Sequence, residues 1–323
     1  MNVCRNVFLI IAILLIGCSK DSDSGPIYLD ANGVTITCDA SGRVGDTFEV
    51  MGITYTTVDE TLLRGMVDNR EDVTNACTSR VTDMSRLFQG RQFNQDISSW
   101  DVSKVIDMSA MFQGSAFSRN ISAWDVGNVT DMSAMFSDTR FNRDIGSWDV
   151  SNVTNMDVMF FDSFFDQDIG SWDVSNVTKM YGMFWFSRFN QNIGAWDVSK
   201  VTSMHKMFKE SPFNQDISGW DLDNVRDMSG MFNQSQFNQD ISLWDVSGVN
   251  DMGGMFYDTA FNQDISSWDV GNVTNMSNMF SWSPFNQDLS GWDVANVIYC
   301  RHFSMNIPQW VLPKPNFTNC DPN

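Results

Sequence analysis

The chain is poor in the residues that carry most enzyme chemistry. Its 323 residues include only 2 His, His205 and His302, and the patterns H-E-x-x-H, G-x-S-x-G, the phosphate loop and G-x-G-x-x-G are all missing. Those patterns hold catalytic zinc, a serine nucleophile, nucleotide phosphates and dinucleotides, so no catalytic set converges and a non-catalytic chain is expected. Positive charge is scarce as well. Against 40 Asp and Glu stand 20 Lys and Arg, a formal net charge of -20. A nucleic-acid partner needs a basic stripe, and docking on anionic lipid needs a basic patch, so both are excluded as general modes. Long apolar runs are missing after the first 16 residues, and there are only 7 Pro. What is plentiful is odd: 42% hydrophobic residues, enough for a packed core, with 21 Met and 12 Trp,.

The single apolar run, Val7 to Ile16, follows Arg5 and is too short to cross a bilayer,. It fits the apolar stretch of a secretory signal peptide. Leu15-Ile16-Gly17-Cys18 resembles the bacterial lipobox, which implies that Cys18 is acylated and becomes the first mature residue. On this reading residues 1–17 are removed and residues 18–26 are the acylated Cys with a polar, acidic tether. Acyl chains contribute about 0.8 kcal/mol per buried methylene, enough in combination for a durable anchor. Ser19, where Asp would favour retention, implies the outer membrane. The acidic run after Lys20 resembles surface-export signals of Gram-negative lipoproteins. With Cys4 and Cys18 assigned to this segment, Cys38, Cys77, Cys300 and Cys320 remain. Outside the cytosol they are expected to oxidise, as Cys38–Cys77 and Cys300–Cys320, although four Cys allow three connectivities by sequence.

One module explains the composition. Trp recurs every 24 residues from Trp100 to Trp292, and Phe keeps the same step from Phe93 to Phe285. The unit reads V-T-D-M-S-x-M-F-x-x-x-x-F-N-Q-D-I-S-x-W-D-V-S-N, and nine copies run from Val81 to Asn296 without insertion or deletion. The repeats hold 17 of the 21 Met, and their two Phe columns and one Trp column hold 18 of the 25 Phe and 9 of the 12 Trp. A fixed period of this size marks a solenoid, and about 40 residues would be needed for a propeller blade. Val81, Met84, Leu87 and Phe88 lie on one face of a helical turn, and Ile97, Trp100 and Val102 suggest a short strand near residues 96–102,. The expected fold is therefore an α/β solenoid of nine leucine-rich-repeat-like coils, each a short strand plus a short helical turn. A unit alone cannot bury its apolar face, so stacked Phe and Met columns form the core. They are read as core rather than as a cofactor box, and no cofactor is expected.

Open solenoid ends need lids. Residues 27–80 are the expected N-terminal lid, with a hairpin around Asn32-Gly33, strand-like Thr47 to Val58, and a helix from Asp59 to Val67 capped by Asp59 or Thr61,. Residues 297–323 are the C-terminal lid. There Cys300 replaces Met, Ser304 replaces Phe, and Pro308, Pro313 and Pro315 are expected to forbid a tenth coil,.

Phe-Asn-Gln-Asp-Ile-Ser-Ser-Trp-Asp-Val at 261–270 and Val-Thr-Asp-Met-Ser-Ala-Met-Phe at 129–136 resemble the tandem repeat of bacterial surface lipoproteins grouped with BspA-like proteins. The resemblance covers residues 81–296. It implies a non-enzymatic surface protein, with adhesion or host-protein binding suggested for some relatives.

Two acidic columns invite a metal reading. One runs from Asp101 to Asp293, the other from Asp96 to Asp288 with Asn120 and Asn192 in place of Asp. A calcium ladder would use such carboxylates, but Asn substitutes where a shared oxygen caps a turn, so a structural role is preferred and no metal is assigned. Asn94, Asn142, Asn190 and their equivalents suggest an amide ladder. The two His are read as exposed polar residues.

Function is sought where the repeat varies, in the four residues between the Phe columns. Coils four and five place Phe161, Phe164, Trp185 and Phe186 there, with Tyr181 close by. Phe161 and Trp185 should lie side by side on neighbouring coils. Arg188, Lys206 and Lys209 add positive charge nearby. An aromatic cluster with a basic rim on an acidic chain suits a binding surface for an extracellular protein or glycan. The alternatives are a structural, self-associating envelope protein, and a carbohydrate-binding accessory protein using Trp185 and Tyr257 as sugar platforms.

Overall fold

The computed structural model describes residues 26–323. Cys18 and the expected signal peptide lie outside the described residues. Regular elements are confined, among the described residues, to the N-terminal lid. Strands β1 (Ile27–Leu29) and β2 (Ile36–Cys38) pair antiparallel, and Asn32 Oδ1 accepts from the N–H groups of Val34 and Thr35 in their turn. Strands β3 (Thr47–Val50) and β4 (Ile53–Thr57) form a second hairpin, and β5 (Ala76–Cys77) joins β4 in parallel. Helix α1 (Glu60–Asp68) begins at Asp59, whose carboxylate accepts from Leu62 N–H, so Asp59 rather than Thr61 is the cap,. Leu63 and Val67 face the core. Cys38 and Cys77 form a disulfide that ties β2 to β5, and Cys300 and Cys320 form the second.

The repeats stack in register but contain neither the expected helical turn nor the expected strand. From residue 84 to 90 the backbone alternates between two kinds of bond. Met84, Arg86, Phe88 and Gly90 donate to carbonyls of the next coil at 2.7–2.9 Å, and the intervening Leu87 and Gln89 close turns onto Met84 and Arg86. Left-handed residues recur four apart, at Arg86 (φ 56°) and Gly90 (φ 68°), then at Ala110 and Gly114. A left-handed residue in every turn stops α-helix from propagating, which is why the helix-like spacing of Met and Phe gives no helix. The bridges between coils sit at Asp83, Asp107, Asp131 and their successors. At 96–103, Asp96 and Asp101 bend the chain by accepting from Ser98 and Ser103 N–H, and Trp100 N–H turns back onto Ile97. The expected strand is replaced there by consecutive turns, leaving only a bridge from Trp100 to Ile36,.

Stacking buries the core as expected. Met, Phe, Ile and Val columns are shielded from solvent along the rod. Rings of the first Phe column follow one another at 5.6–5.9 Å. Inside each coil the two Phe rings face each other at 3.6–4.2 Å. The result is a two-dimensional array of stacked, near-parallel rings. Each indole N–H of the repeated Trp column is satisfied as well: Trp124 donates to Ile97 O at 3.2 Å, and Trp292 repeats this on Ile265 O.

The stack has a direction, because most of its axial N–H groups point toward the C-terminus. At the N-terminal end, carbonyls of the first coil therefore face the lid. Arg64 of α1 meets two of them, donating from its guanidinium to Ser85 O at 3.0 Å and Asp83 O at 3.2 Å. At the other end the expected stop at Cys300 does not occur. Met276, Asn278, Phe280 and Trp282 still donate to Tyr299, Arg301, Phe303 and Met305, so a tenth half-coil forms before Pro308. Cys300 and Ser304 fit because only the turn ladder, not the ring column, continues. Trp310 then lies edge-on to Phe280 and Phe285, and this change from face to edge closes the array.

Candidate functional site

Because the period is 24, residues 24 apart become neighbours on adjacent coils, and the variable face is organised in rows along the rod. In one row Arg140, Phe164 and Arg188 follow one another. The Arg188 guanidinium stands 4.0 Å from the Phe164 ring centre and that of Arg140 5.8 Å, on the preceding coil. In a second row Phe161 meets Trp185 edge-to-face at 4.9 Å. The ammonium of Lys209, next in that row, lies 5.0 Å from the Trp185 ring, and Lys206 lies 4.9 Å from it. In a third row Tyr181 stacks on His205 at 5.3 Å. Phe164 and Phe186 are exposed, Phe186 by 53%, whereas Phe161, Tyr181 and Trp185 are half-buried. All eight sequence-derived residues thus fall on one face of coils four to six.

The backbone explains the exposure of Phe186. It occupies the second left-handed position of its coil (φ 57°), held by its N–H on Lys209 O, and this aims the side chain outward. Charge is unevenly satisfied. Lys209 pairs with Glu210 at 3.1 Å, but no carboxylate among the described residues pairs with Arg140, Arg188 or Lys206. Each of these can meet a partner without first breaking an ion pair.

Two titratable groups beneath the patch are perturbed. Burial pushes the Asp157 carboxyl up, against the Tyr181 N–H bond that favours its ionised form,. Burial also lowers the His205 imidazole, with Asp227 at 3.9 Å opposing that shift. His205 is therefore a partly buried, stacked residue bonded to Ser229, not the free polar residue expected from sequence. Arg140 and Asp157 escaped the sequence reading too, although counting 24 back from Phe164 and Tyr181 identifies both.

Trp185 is flanked by Phe161, Lys206 and Lys209. Tyr257 lies three coils further on, about 14 Å away at the usual strand spacing, half-buried among Asn233, Gly254 and Asn278. The acidic columns are accounted for by turns. Asp125, Asp149 and Asp197 accept from the N–H groups of Gly127, Ser151 and Ser199, and Asn120 and Asn192 do the same in the second column. No group of three or more metal-ligating side chains occurs among the described residues.

Four overlapping segments, 60–163, 115–218, 161–259 and 209–309, match the family described as Mycoplasma protein of unknown function, DUF285. The chain belongs to this family. The DUF285 matches run through the coils and reach into both lids. No curated protein and no solved structure matches the chain. Among the described residues, no helix is long and apolar enough to cross a membrane.

Proposed function

We propose that this DUF285 protein is a non-catalytic surface lipoprotein whose rod presents the aromatic and cationic face of coils four to six to an extracellular protein or glycan. The observation that carries this reading is the convergence of Phe164, Trp185 and Phe186 with Arg140, Arg188 and Lys206, none of these cations being ion-paired among the described residues, on a chain of net charge -20. Aromatic residues with adjoining Arg are the side chains that dominate protein interfaces. The lipobox-like Cys18 and the BspA-like repeat phrases support an outer-membrane, surface-facing address. The mechanism is display: acyl anchor, acidic tether, rigid rod, then the varied face.

Two experiments test it. Protease treatment of intact cells should release repeat peptides from the wild type, and Cys18→Ala should appear in the medium. Protection of the wild type from external protease would remove the adhesion reading and leave an envelope scaffold. The double variant Trp185→Ser and Phe186→Ser should keep the fold, since the patch lies outside the ring array, and lose binding to host cells or matrix. Undiminished binding by that variant would refute the assignment of the patch.

A further inference from the structure

A second departure from the repeat lies on another face, in the column that follows the Asn ladder. Seven of its nine positions are Gln, from Gln95 to Gln287, and the remaining two are Arg119 and Arg143 on adjacent coils. The Gln side chains tie coil to coil. Gln215 Nε2, for example, donates to Asn190 O at 3.0 Å and to its Oδ1 at 3.1 Å. The two arginines keep this tie with Nε alone, to Asn94 O at 2.9 Å and Ser118 O at 2.8 Å. Their terminal guanidinium nitrogens are left over. The two arginines line a cleft of about 600 Å³ between the N-terminal hairpin and the first three coils, together with Asp96, Ser98, Asn120, Ser122 and Val34.

One neighbouring charge has changed in the same direction. Below Arg119 sits Asp96, whose carboxyl is held low by the Ser98 hydroxyl and N–H and, to a lesser degree, by Arg119 itself. Below Arg143 the acidic column holds the neutral Asn120 instead, and the amide column holds Ser118. No ion pair fixes either guanidinium among the described residues. Two like charges on neighbouring coils, about 5 Å apart by strand spacing, repel each other where neutral Gln would serve the fold equally well. A guanidinium anchored through Nε presents its remaining N–H groups as a fixed fork, the geometry that suits a carboxylate, sulfate or phosphate.

We infer that Arg119 and Arg143 form an oxyanion-binding site, with the Asn120 and Ser122 side chains placed for a hydroxylated bearer such as an acidic sugar. The site shares no residue with the aromatic face and stands or falls independently of it.

The test uses the full chain and the double variant Arg119→Gln, Arg143→Gln. That variant restores the residue used on the other seven coils, so the inter-coil tie is retained. Arginine Nε–H signals are followed by NMR at low salt while sodium sulfate, sodium glucuronate or neutral glucose is added. Saturable shifts of Arg119 and Arg143 with sulfate or glucuronate, and none with glucose, are expected. The affinity should fall by about tenfold or more in the double variant, in keeping with loss of charge-assisted forks. Saturation by glucuronate assigns a sugar-acid bearer, and saturation by sulfate alone assigns a sulfated or phosphorylated one. Shifts that fail to saturate, that match those of Arg140 and Arg188, or that appear equally with glucose would overturn the proposal.

Discussion

Replacing Asn214 with Ala takes one rung from the amide ladder and leaves its neighbours in place. The Asn214 Oδ1 accepts from Asn238 N–H at 2.9 Å and from Gln239 Nε2 at 3.1 Å. Gln239 keeps a second acceptor, the Asn214 main-chain oxygen at 3.0 Å, so the main loss falls on the Asn238 amide. An orphaned donor costs about 1–3 kcal/mol when buried, and Asn214 and Asn238 are only half-buried, so the lower end of about 1 kcal/mol is expected,. The chain itself supplies two controls. Asp166 occupies this column one coil before Asn190 and makes the same bonds, to Asn190 N–H and Gln191 Nε2, both at 2.9 Å. Asn214→Asp should therefore be nearly neutral. Ser118 occupies it too and, being shorter, gives Asn142 no equivalent acceptor, so Asn214→Ser should behave like Ala. Amide hydrogen exchange with residue resolution is the assay. In Asn214→Ala the Asn238 amide should exchange about fivefold faster, the factor for one kcal/mol, while amides several coils away stay unchanged. Unaltered Asn238 protection, or an Asp variant as weakened as Ala, would refute the ladder as a source of stability.

Two further outcomes follow from the turns and the lid. The Ser hydroxyl and N–H that bind Asp149, Asp197 and Asp245 hold these carboxyls below the ordinary value of 3.8. A folded-state value below the unfolded one contributes stability above about pH 4 that is lost as pH falls through it; the denaturation midpoint should be flat near neutrality and drop below about pH 4, and a rise on acidification would contradict the account. Arg64→Met should uncover the Asp83 and Ser85 carbonyls while keeping the apolar stem over the first coil, at a cost of about 1–3 kcal/mol. The loss should show as faster exchange in α1 and the first coil, and unchanged protection there would deny Arg64 a capping role.

The architecture was legible wherever a residue type has one dominant physical use. The fixed step of Trp and Phe pointed to the stacked core, Asp59 and Thr61 bracketed the start of α1, and pairing Cys38 with Cys77 and Cys300 with Cys320, one of three connectivities, agrees with both disulfides. The path of the coil was not legible. Its left-handed positions are filled by Arg86, Ala134, Val158 and Lys206 as readily as by Gly182 or Gly230, so the usual glycine signal is diluted,. Met84, Leu87 and Phe88 then mimic a helical face although their backbone spends alternate amides on the next coil. The strand expected near Trp100 is absent because Asp96 and Asp101 each accept a backbone N–H two residues on and so turn the chain,. The patch was half legible. The aromatics stood out as exceptions to the repeat, but Arg140 sits one coil before its ring and is visible only when positions are compared in steps of 24.

That step also separates what the rod is made of from what it shows. The interfaces between coils share one backbone ladder and one set of ring columns, so excision of a 24-residue block rejoins the Phe and Trp columns and shortens the rod by about 4.8 Å, one strand spacing. The outer rows do not heal in this way. Loss of residues 153–176 would bring Arg140 against Arg188 and erase both Phe161 and Phe164. Recombination between repeats would thus act on two traits at once, the distance at which the face is held from the N-terminal lid and the neighbours dealt to each surface residue, with the interior indifferent to both.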